Sequence, residues 1–345
     1  MKFAFIADLH LSRYGQDKIE DTTQLPERLY SITMAFNNMI EYCRQNDIKK
    51  IVIGGDCLHG KSVIYALAQS ILLDFFRNNK DINFIVIDGN HDLSGKGNDA
   101  VSALKSIDNE PNVKRIDQSY FHDTNNDIMY VPYSYDMIDI IKKHKAKYLI
   151  SHFGLNEGML NSGISIVADI SLAKLIGKYK TVLLGHYHKP QEIILDNIKL
   201  YYVGSLIQLD WGEKNEEKRF LVVDTDLNTI QSVPTSGYRK YIEYKITNEN
   251  KDEIIKKATK DTEQGDYVKI IKESAIDTDD IPGDLRIVDK VEKDITNRGL
   301  TNEMSEADKF KRYLTIKEIP EDKHQQYLDV ANRIVEKCSS REASK

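Results

Sequence analysis

The 345 residues, 41% hydrophobic and 30% charged, describe a globular chain long enough for two domains, with no apolar run of the length needed to cross a bilayer. A net charge of −6 argues against binding nucleic acid through bulk positive potential. Three widely spaced cysteines, Cys43, Cys57 and Cys338, argue against a disulfide framework or thiolate zinc site and for a reducing, cytoplasmic setting.

Residues 2–7 are apolar and read as a first strand. Asp8 and His10 follow at once, which a signal peptide or membrane anchor would not tolerate. Pro26 opens a run to about Arg44 in which Leu29, Ile32, Ala35, Phe36, Met39 and Ile40 recur at helical spacing. Residues 51–53 form a second strand, 63–76 a helix and 84–87 a third strand; 148–150, 182–184, 200–203 and 220–223 follow as further strands. β-Branched runs separated by helices predict an α/β fold with both sheet faces covered. From about Leu195 the strands crowd together, as in an antiparallel or second sheet.

After Pro234-Thr235-Ser236-Gly237 the texture changes. Strands at 241–246, 267–271 and 285–291, with a charged helix at about 251–260, predict a small α/β domain. The expected organisation is a first domain over 1–237, the small domain over 238–295, a connector over 296–308 and a helical element over 309–345. The last helix, from Pro320, carries Tyr327, Leu328, Val330, Ala331, Ile334 and Val335 on one side.

Chemistry is concentrated where apolar strands run out: Asp8-Leu9-His10, Gly55-Asp56 with His59, Gly89-Asn90-His91-Asp92, Ser151-His152 and Gly185-His186-Tyr187-His188. Singly, each has an ordinary reading as a turn or cap. Jointly, six of the nine histidines stand after apolar strands in company with Asp8, Asp56 and Asn90. In open α/β sheets ligands bind beyond the carboxyl ends of the strands, so these groups should meet at one edge. Asp8/His10 and His186/His188 alternate by two, which on extended chain points both side chains one way. Asp56 is the best candidate for a carboxylate shared by two cations. Asp92 is balanced between orienting an imidazole and a plain turn role, and Tyr187 reads as packing. His122, His144 and His324 lie outside the set and read as ordinary surface histidines.

The ordered set Asp-x-His, Gly-Asp-x-x-His, Gly-Asn-His-Asp, His, Gly-His-x-His resembles the calcineurin-like metallophosphoesterases. His59, where the superfamily's serine/threonine phosphatases place Asp, makes it similar to the SbcD-type (meiotic-recombination, Mre) nucleases. Tyr202-Val203-Gly204-Ser205 followed by Leu206-Ile207-Gln208 adds to that likeness, and the compact length resembles the tailed-phage versions.

The resemblance covers roughly 1–235 and implies two β-sheets flanked by helices, with a smaller C-terminal α/β capping domain. It implies one metal held by Asp8, His10, Asp56 and His188, and a second by Asp56, Asn90, His152 and His186. Nitrogen and oxygen ligands suit manganese, iron, zinc or magnesium, and the resemblance favours manganese. Two such ions would neutralise a phosphodiester and activate a water against it, with His91 assisting the leaving oxygen and His59 touching phosphate or supporting His91.

The resemblance further implies DNA as substrate, an SbcC-type coiled-coil ATPase as partner and a homodimer using helices near 62–76 and 98–107. The helix from Glu321 to Lys337 is a candidate for the ATPase contact. The competing functions are a stand-alone phosphoesterase acting on a nucleotide, cyclic nucleotide or phosphoprotein, and a non-enzymatic scaffold, against which stands the complete ligand set.

Overall fold

The computed structural model describes residues 1–14, 17–95, 99–159, 168, 170–272, 281–282, 285–289, 306–316 and 319–330. In chain order its elements begin with β1 (Lys2–Ile6), α1 (Glu27–Gln45), β2 (Lys50–Ile53), α2 (Ala66–Arg77) and β3 (Asn83–Ile87). A short ribbon, β4 (Leu93–Ser94) and β5 (Val101–Ser102), precedes β6 (Val113–Ile116), β7 (Phe121–Asp123), β8 (Ile128–Val131), α3 (Met137–Lys143), β9 (Tyr148–His152) and β10 (Thr181–Gly185). Then come β11 (Gln191–Leu195), β12 (Ile198–Tyr202), β13 (Arg219–Asp224), β14 (Thr229–Pro234), β15 (Tyr241–Ile246), α4 (Lys251–Glu263), β16 (Tyr267–Lys272), β17 (Arg286–Asp289) and α5 (Glu306–Ile316).

Two six-stranded sheets dominate, ordered β14-β13-β1-β2-β3-β6 and β11-β12-β10-β9-β8-β7. β1, β2, β3 and β6 run parallel, with β13 and β14 completing that sheet antiparallel. β8, β9, β10 and β12 run parallel in the second sheet, and β7 and β11 close its edges antiparallel. The period-two alternation of a strand sorts each sheet's side chains onto two buried faces. Phe3, Phe5, Val52, Ile85 and Ile87 meet Ile128, Tyr130, Tyr148, Ile150 and Leu183 between the sheets.

The opposite face of the first sheet, with Ala4, Ile6, Ile51, Ile53, Phe84 and Val86, is covered by α1 and α2. There Phe36 of α1 stacks on Phe75 of α2 with ring centroids 3.9 Å apart. The far face of the second sheet carries Leu149, Val182 and Leu184 against Met137 and Ile141 of α3 and the turn at Leu172–Leu175. The result is the two-sheet sandwich flanked by helices that the motifs implied.

Pro26 stands immediately before α1, as its fixed φ allows. α2 begins only at Ala66, because the expected opening residue, Val63, is 82% exposed and lies before the first helical turn. By contacts the chain divides into two compact units: Met1–Tyr244 with Asp252–Lys269 and Ile281–Arg286 in one, and Lys245–Lys251, Ile270–Asp280 and Ile287–Lys345 in the other. A three-stranded sheet is ordered β15-β16-β17. α5 begins at Glu306, inside the stretch expected as a connector, while 296–305 lie outside the described residues. Helical chain continues over residues 321–330, and the expected helix beyond 330 lies outside them too. Among the described residues no helix is long and apolar enough to cross a membrane.

Candidate metal centre

The carboxyl ends of β1, β2, β3, β9 and β10 deliver the strand-end motifs to one crevice. The chain after β1 continues alongside the chain after β2: Asp8 N–H donates to Gly55 O at 3.0 Å, His10 N–H to Asp56 O at 3.0 Å and Leu11 N–H to Cys57 O at 2.9 Å. His152, the last residue of β9, reaches across from the other sheet and bonds Gly54 O through Nδ1 at 2.7 Å.

The side chains do not converge by the alternation of an extended strand. Asp8 (φ 55°), His10 (φ 48°), Asp56 (φ 53°) and His186 (φ 91°) all have positive φ, a region that costs non-glycine residues energy and collects at functional sites. β1 ends at Ile6 and β10 at Gly185, so tight turns, rather than the pleat, aim both Asp8/His10 and His186/His188. Room for this is made at Gly89, where a Cβ would lie 2.2 Å from Asp56 Oδ1, and at Gly55 (φ 95°), where it would lie 2.5 Å from His152 Nδ1.

Among the described residues, three groups of possible ligand atoms each fall within 4.8 Å: Asp8, His10 and His188; Asp8, Asp56 and His152; and His10, His59 and His91. His10 Nε2 is 3.0 Å from His188 Nε2, 3.5 Å from Asp56 Oδ2 and 3.9 Å from Asp8 Oδ1. His152 Nε2 is 3.3 Å from Asp56 Oδ2 and 3.9 Å from Asp8 Oδ1. His186 Nδ1 meets Asn90 Oδ1 at 3.0 Å, and the His186 ring packs edge-on to His152. Asp56 lies between both sets, and Asp8, which the resemblance assigned to one set alone, comes within 3.9 Å of His152 in the other.

His59 and His91 form a stacked pair beside His10, with ring centroids 5.0 Å apart. His91 is fixed at two points: its backbone N–H donates to Asp56 Oδ1 at 2.8 Å, and its Nδ1 lies 2.9 Å from His59 O. Its Nε2 has no hydrogen-bond partner among the described residues. His59 Nδ1 is 3.1 Å from His10 Nδ1.

Asp92 contacts no imidazole; it is fully buried and accepts backbone N–H groups of Leu58, Gly89 and Cys57. Tyr187 packs on Tyr202 in the outer core. His122, His144 and His324 bond or stack elsewhere, with Asp127, Tyr120 and Ile319 O respectively.

The electrostatics suit a cation. Burial pushes His10 well below the usual imidazole range, takes His186 down to about 4 with help from His152, and lowers His59. Those rings are therefore neutral, with lone pairs to give. Burial would raise the Asp56 carboxyl, but His152, His10 and the His91 N–H outweigh it and hold it below the usual carboxylate range. Asp8 is raised by burial against the pull of His152 and His188. For His152 burial is overcome by Asp56 and Asp8, which lift it to about 9.

One atom tests the fit. His152 Nδ1 is committed to Gly54 O, so Nε2 is the atom aimed at the carboxylates, buried 3.3 Å from Asp56 Oδ2 and 3.9 Å from Asp8 Oδ1. Two buried carboxylates there need a positive charge, which a proton on Nε2 supplies in metal-free protein and a cation on the Nε2 lone pair would supply in its place. A divalent ion meets that need, and the nitrogen and oxygen donors fit one.

Glu213 and Lys218 were not singled out by their sequence context. Glu213 Oε1 lies 2.8 Å from His188 Nδ1, and Lys218 Nζ lies 2.8 Å from Glu213 Oε2. The segment 202–208, read only as a family likeness, leads into this pair.

The model for the calcineurin-like phosphoesterase family matches residues 1–190, more than half of the chain. The chain is a calcineurin-like phosphoesterase. Among curated relatives, the SbcD component of the SbcCD nuclease of Staphylococcus epidermidis is 24% identical over 302 residues, covering 77% of each chain. Solved structures include a dimetal phosphatase from Danio rerio at 10% identity, covering 68% of this chain and 99% of that one with a TM-score of 0.43. An archaeal phosphodiesterase is 13% identical, covering 68% and 99% with a TM-score of 0.34. A calcineurin-like phosphoesterase is a metal-dependent hydrolase of phosphate esters. Ions bound here would supply charge neutralisation and an acidified water, while this phosphoesterase's own residues fix the ligands and hold His91 beside them.

Proposed function

We propose that this phosphoesterase is a manganese-dependent DNA nuclease of the SbcD type. The length of the similarity to the Staphylococcus epidermidis SbcD nuclease supports this reading. Its 77% share of the 345 residues exceeds the 190 residues that the family model matches, so it extends past the general phosphoesterase motifs. On this reading Asp8, His10, Asp56 and His188 hold one ion, and Asp56, Asn90, His152 and His186 the other. With a proton at each ring nitrogen, His91 keeps Nδ1–H on His59 O and donates Nε2–H to the phosphoryl or leaving oxygen of a DNA phosphodiester, and the stacked His59 keeps that ring in place. Residues 238–295 serve as a DNA-capping domain, and the helical element over 309–345 meets an SbcC-type ATPase in the cytoplasm. A homodimer presents two such sites.

The test is degradation of an end-labelled DNA duplex by the purified chain with manganese, beside His91→Ala and a chromogenic phosphodiester. DNA cleavage that disappears in the variant is the expected result. Ester hydrolysis with intact DNA, even after a cognate ATPase is added, would sink the nuclease assignment and leave a small-substrate phosphoesterase.

A further inference from the structure

His188 is gripped at both ends. Its backbone carbonyl accepts the Lys218 ammonium at 2.9 Å and the Ser205 N–H at 3.1 Å. Its ring nitrogen Nδ1 meets Glu213 Oε1 at 2.8 Å. The other oxygen of that carboxylate, Oε2, receives Ser205 Oγ at 3.0 Å, Leu209 N–H at 3.0 Å and Lys218 Nζ at 2.8 Å. The Leu209 N–H and the Lys218 ammonium fix that oxygen, Ser205 Oγ dividing its single proton between it and Ile207 O at 2.9 Å, and Lys218 is completed by Glu216 at 2.8 Å.

This arrangement is costly as packing. Glu213 is 2% exposed and Lys218 0%, and a buried ion pair is often no better for stability than apolar side chains of similar volume. Its geometric consequence falls on one atom. A carboxylate at Nδ1 requires the proton there, so the lone pair of His188 resides on Nε2, the atom that lies 3.0 Å from His10 Nε2 and within the Asp8 group. A carboxylate behind a ligating imidazole fixes its tautomer and orientation and strengthens it as a ligand.

On the reading of His188 as a metal ligand, we propose that Glu213 and Lys218 are positioning residues that set the tautomer and placement of His188, and so control uptake of one of the two metal ions. Lys218 holds the backbone while Glu213 holds the ring, so the two residues act on the same ligand from opposite ends. Gln at 213 would place an amide where one carboxylate oxygen now receives the Leu209 N–H and the Lys218 ammonium. Turning that amide round would instead present N–H to Nδ1 and move the ring proton to Nε2, blocking it.

The experiment is a manganese titration of the full chain followed by electron paramagnetic resonance, which separates free, single and paired ions. Glu213→Gln should weaken one of two manganese equivalents about 10- to 100-fold and spare the other, and Lys218→Met should weaken the same equivalent by a smaller factor. Parental binding in Glu213→Gln beside a loss in His188→Ala would overturn the positioning role alone. Parental binding in both would overturn the ligand reading with it, whatever the substrate.

A measurement on the unaltered protein covers the case of a variant that fails to fold. In zinc-loaded protein, long-range proton–nitrogen spectra should show His188 protonated at Nδ1. A proton at Nε2 would overturn the proposal.

Discussion

Asp92 ties together two loops that carry ligands: its Oδ1 accepts the Leu58 N–H at 2.9 Å, and its Oδ2 the Gly89 N–H at 2.9 Å. Leu58 follows Asp56 and Gly89 precedes Asn90, so this one carboxylate sets the spacing between them. Asp92→Ala would leave three buried backbone donors unsatisfied, counting Cys57. The expected loss is about 3 kcal/mol or more, read from urea unfolding of the metal-free protein. A loss under about 1 kcal/mol would show that the loops hold each other without Asp92.

Protons and metal compete for the same place at His152. With its pKa lifted to about 9 by Asp56 and Asp8, the ring is protonated at neutral pH in metal-free protein, and a cation must displace that proton. Manganese affinity should therefore rise about tenfold per pH unit between about pH 7 and pH 9 from this group alone. In metal-free protein the sign reverses. A raised histidine pKa contributes stability that is complete below about pH 6.5 and lost as pH rises through about 9. Calorimetric titration in buffers of different ionisation enthalpy reads the released proton. A pH-independent affinity would show that His152 is not displaced.

The helical spacing of Leu29 to Ile40 was legible because α1 buries one face, and the strand-end motifs were legible because five apolar strands each stop at a ligand type. The way those ligands converge was not. Spacing by two suggested an extended chain at Asp8 and His10, yet both residues adopt positive φ after β1 has ended, a backbone choice that composition does not encode. Glu213 and Lys218 were invisible for another reason. Glu and Lys are ordinary surface residues, and their partner His188 lies 25 and 30 residues away, so only the fold reveals that they are buried. The pairing of β13 with β1 was hidden in the same way, because two adjacent-looking late strands join different sheets.

Gly89 approaches Asp56 more closely than a side chain permits, with a Cβ there falling 2.2 Å from Oδ1 and 2.3 Å from the backbone nitrogen. Gly89→Ala must push the shared carboxylate out of line. Manganese affinity should fall about 10- to 100-fold at both equivalents, by analogy with disturbed ligand orientation, because Asp56 touches both groups of ligands. Loss confined to one equivalent would assign Asp56 to a single ion.

His91 separates chemistry from metal binding. Its link to Asp56 runs through the backbone N–H, which His91→Ala retains, so metal stoichiometry should be unchanged. The ring itself leaves Nε2 without a partner while Nδ1 is occupied by His59 O, the disposition of a group that waits for substrate. If it stabilises or protonates the departing oxygen, kcat on a chromogenic phosphodiester should fall about 10²- to 10⁴-fold with KM little altered. A phosphodiester with a more acidic leaving group should be less affected, because it needs the proton less. Equal losses on both esters would place His91 on the non-leaving oxygens instead, and loss of metal with activity would make it a support for Asp56.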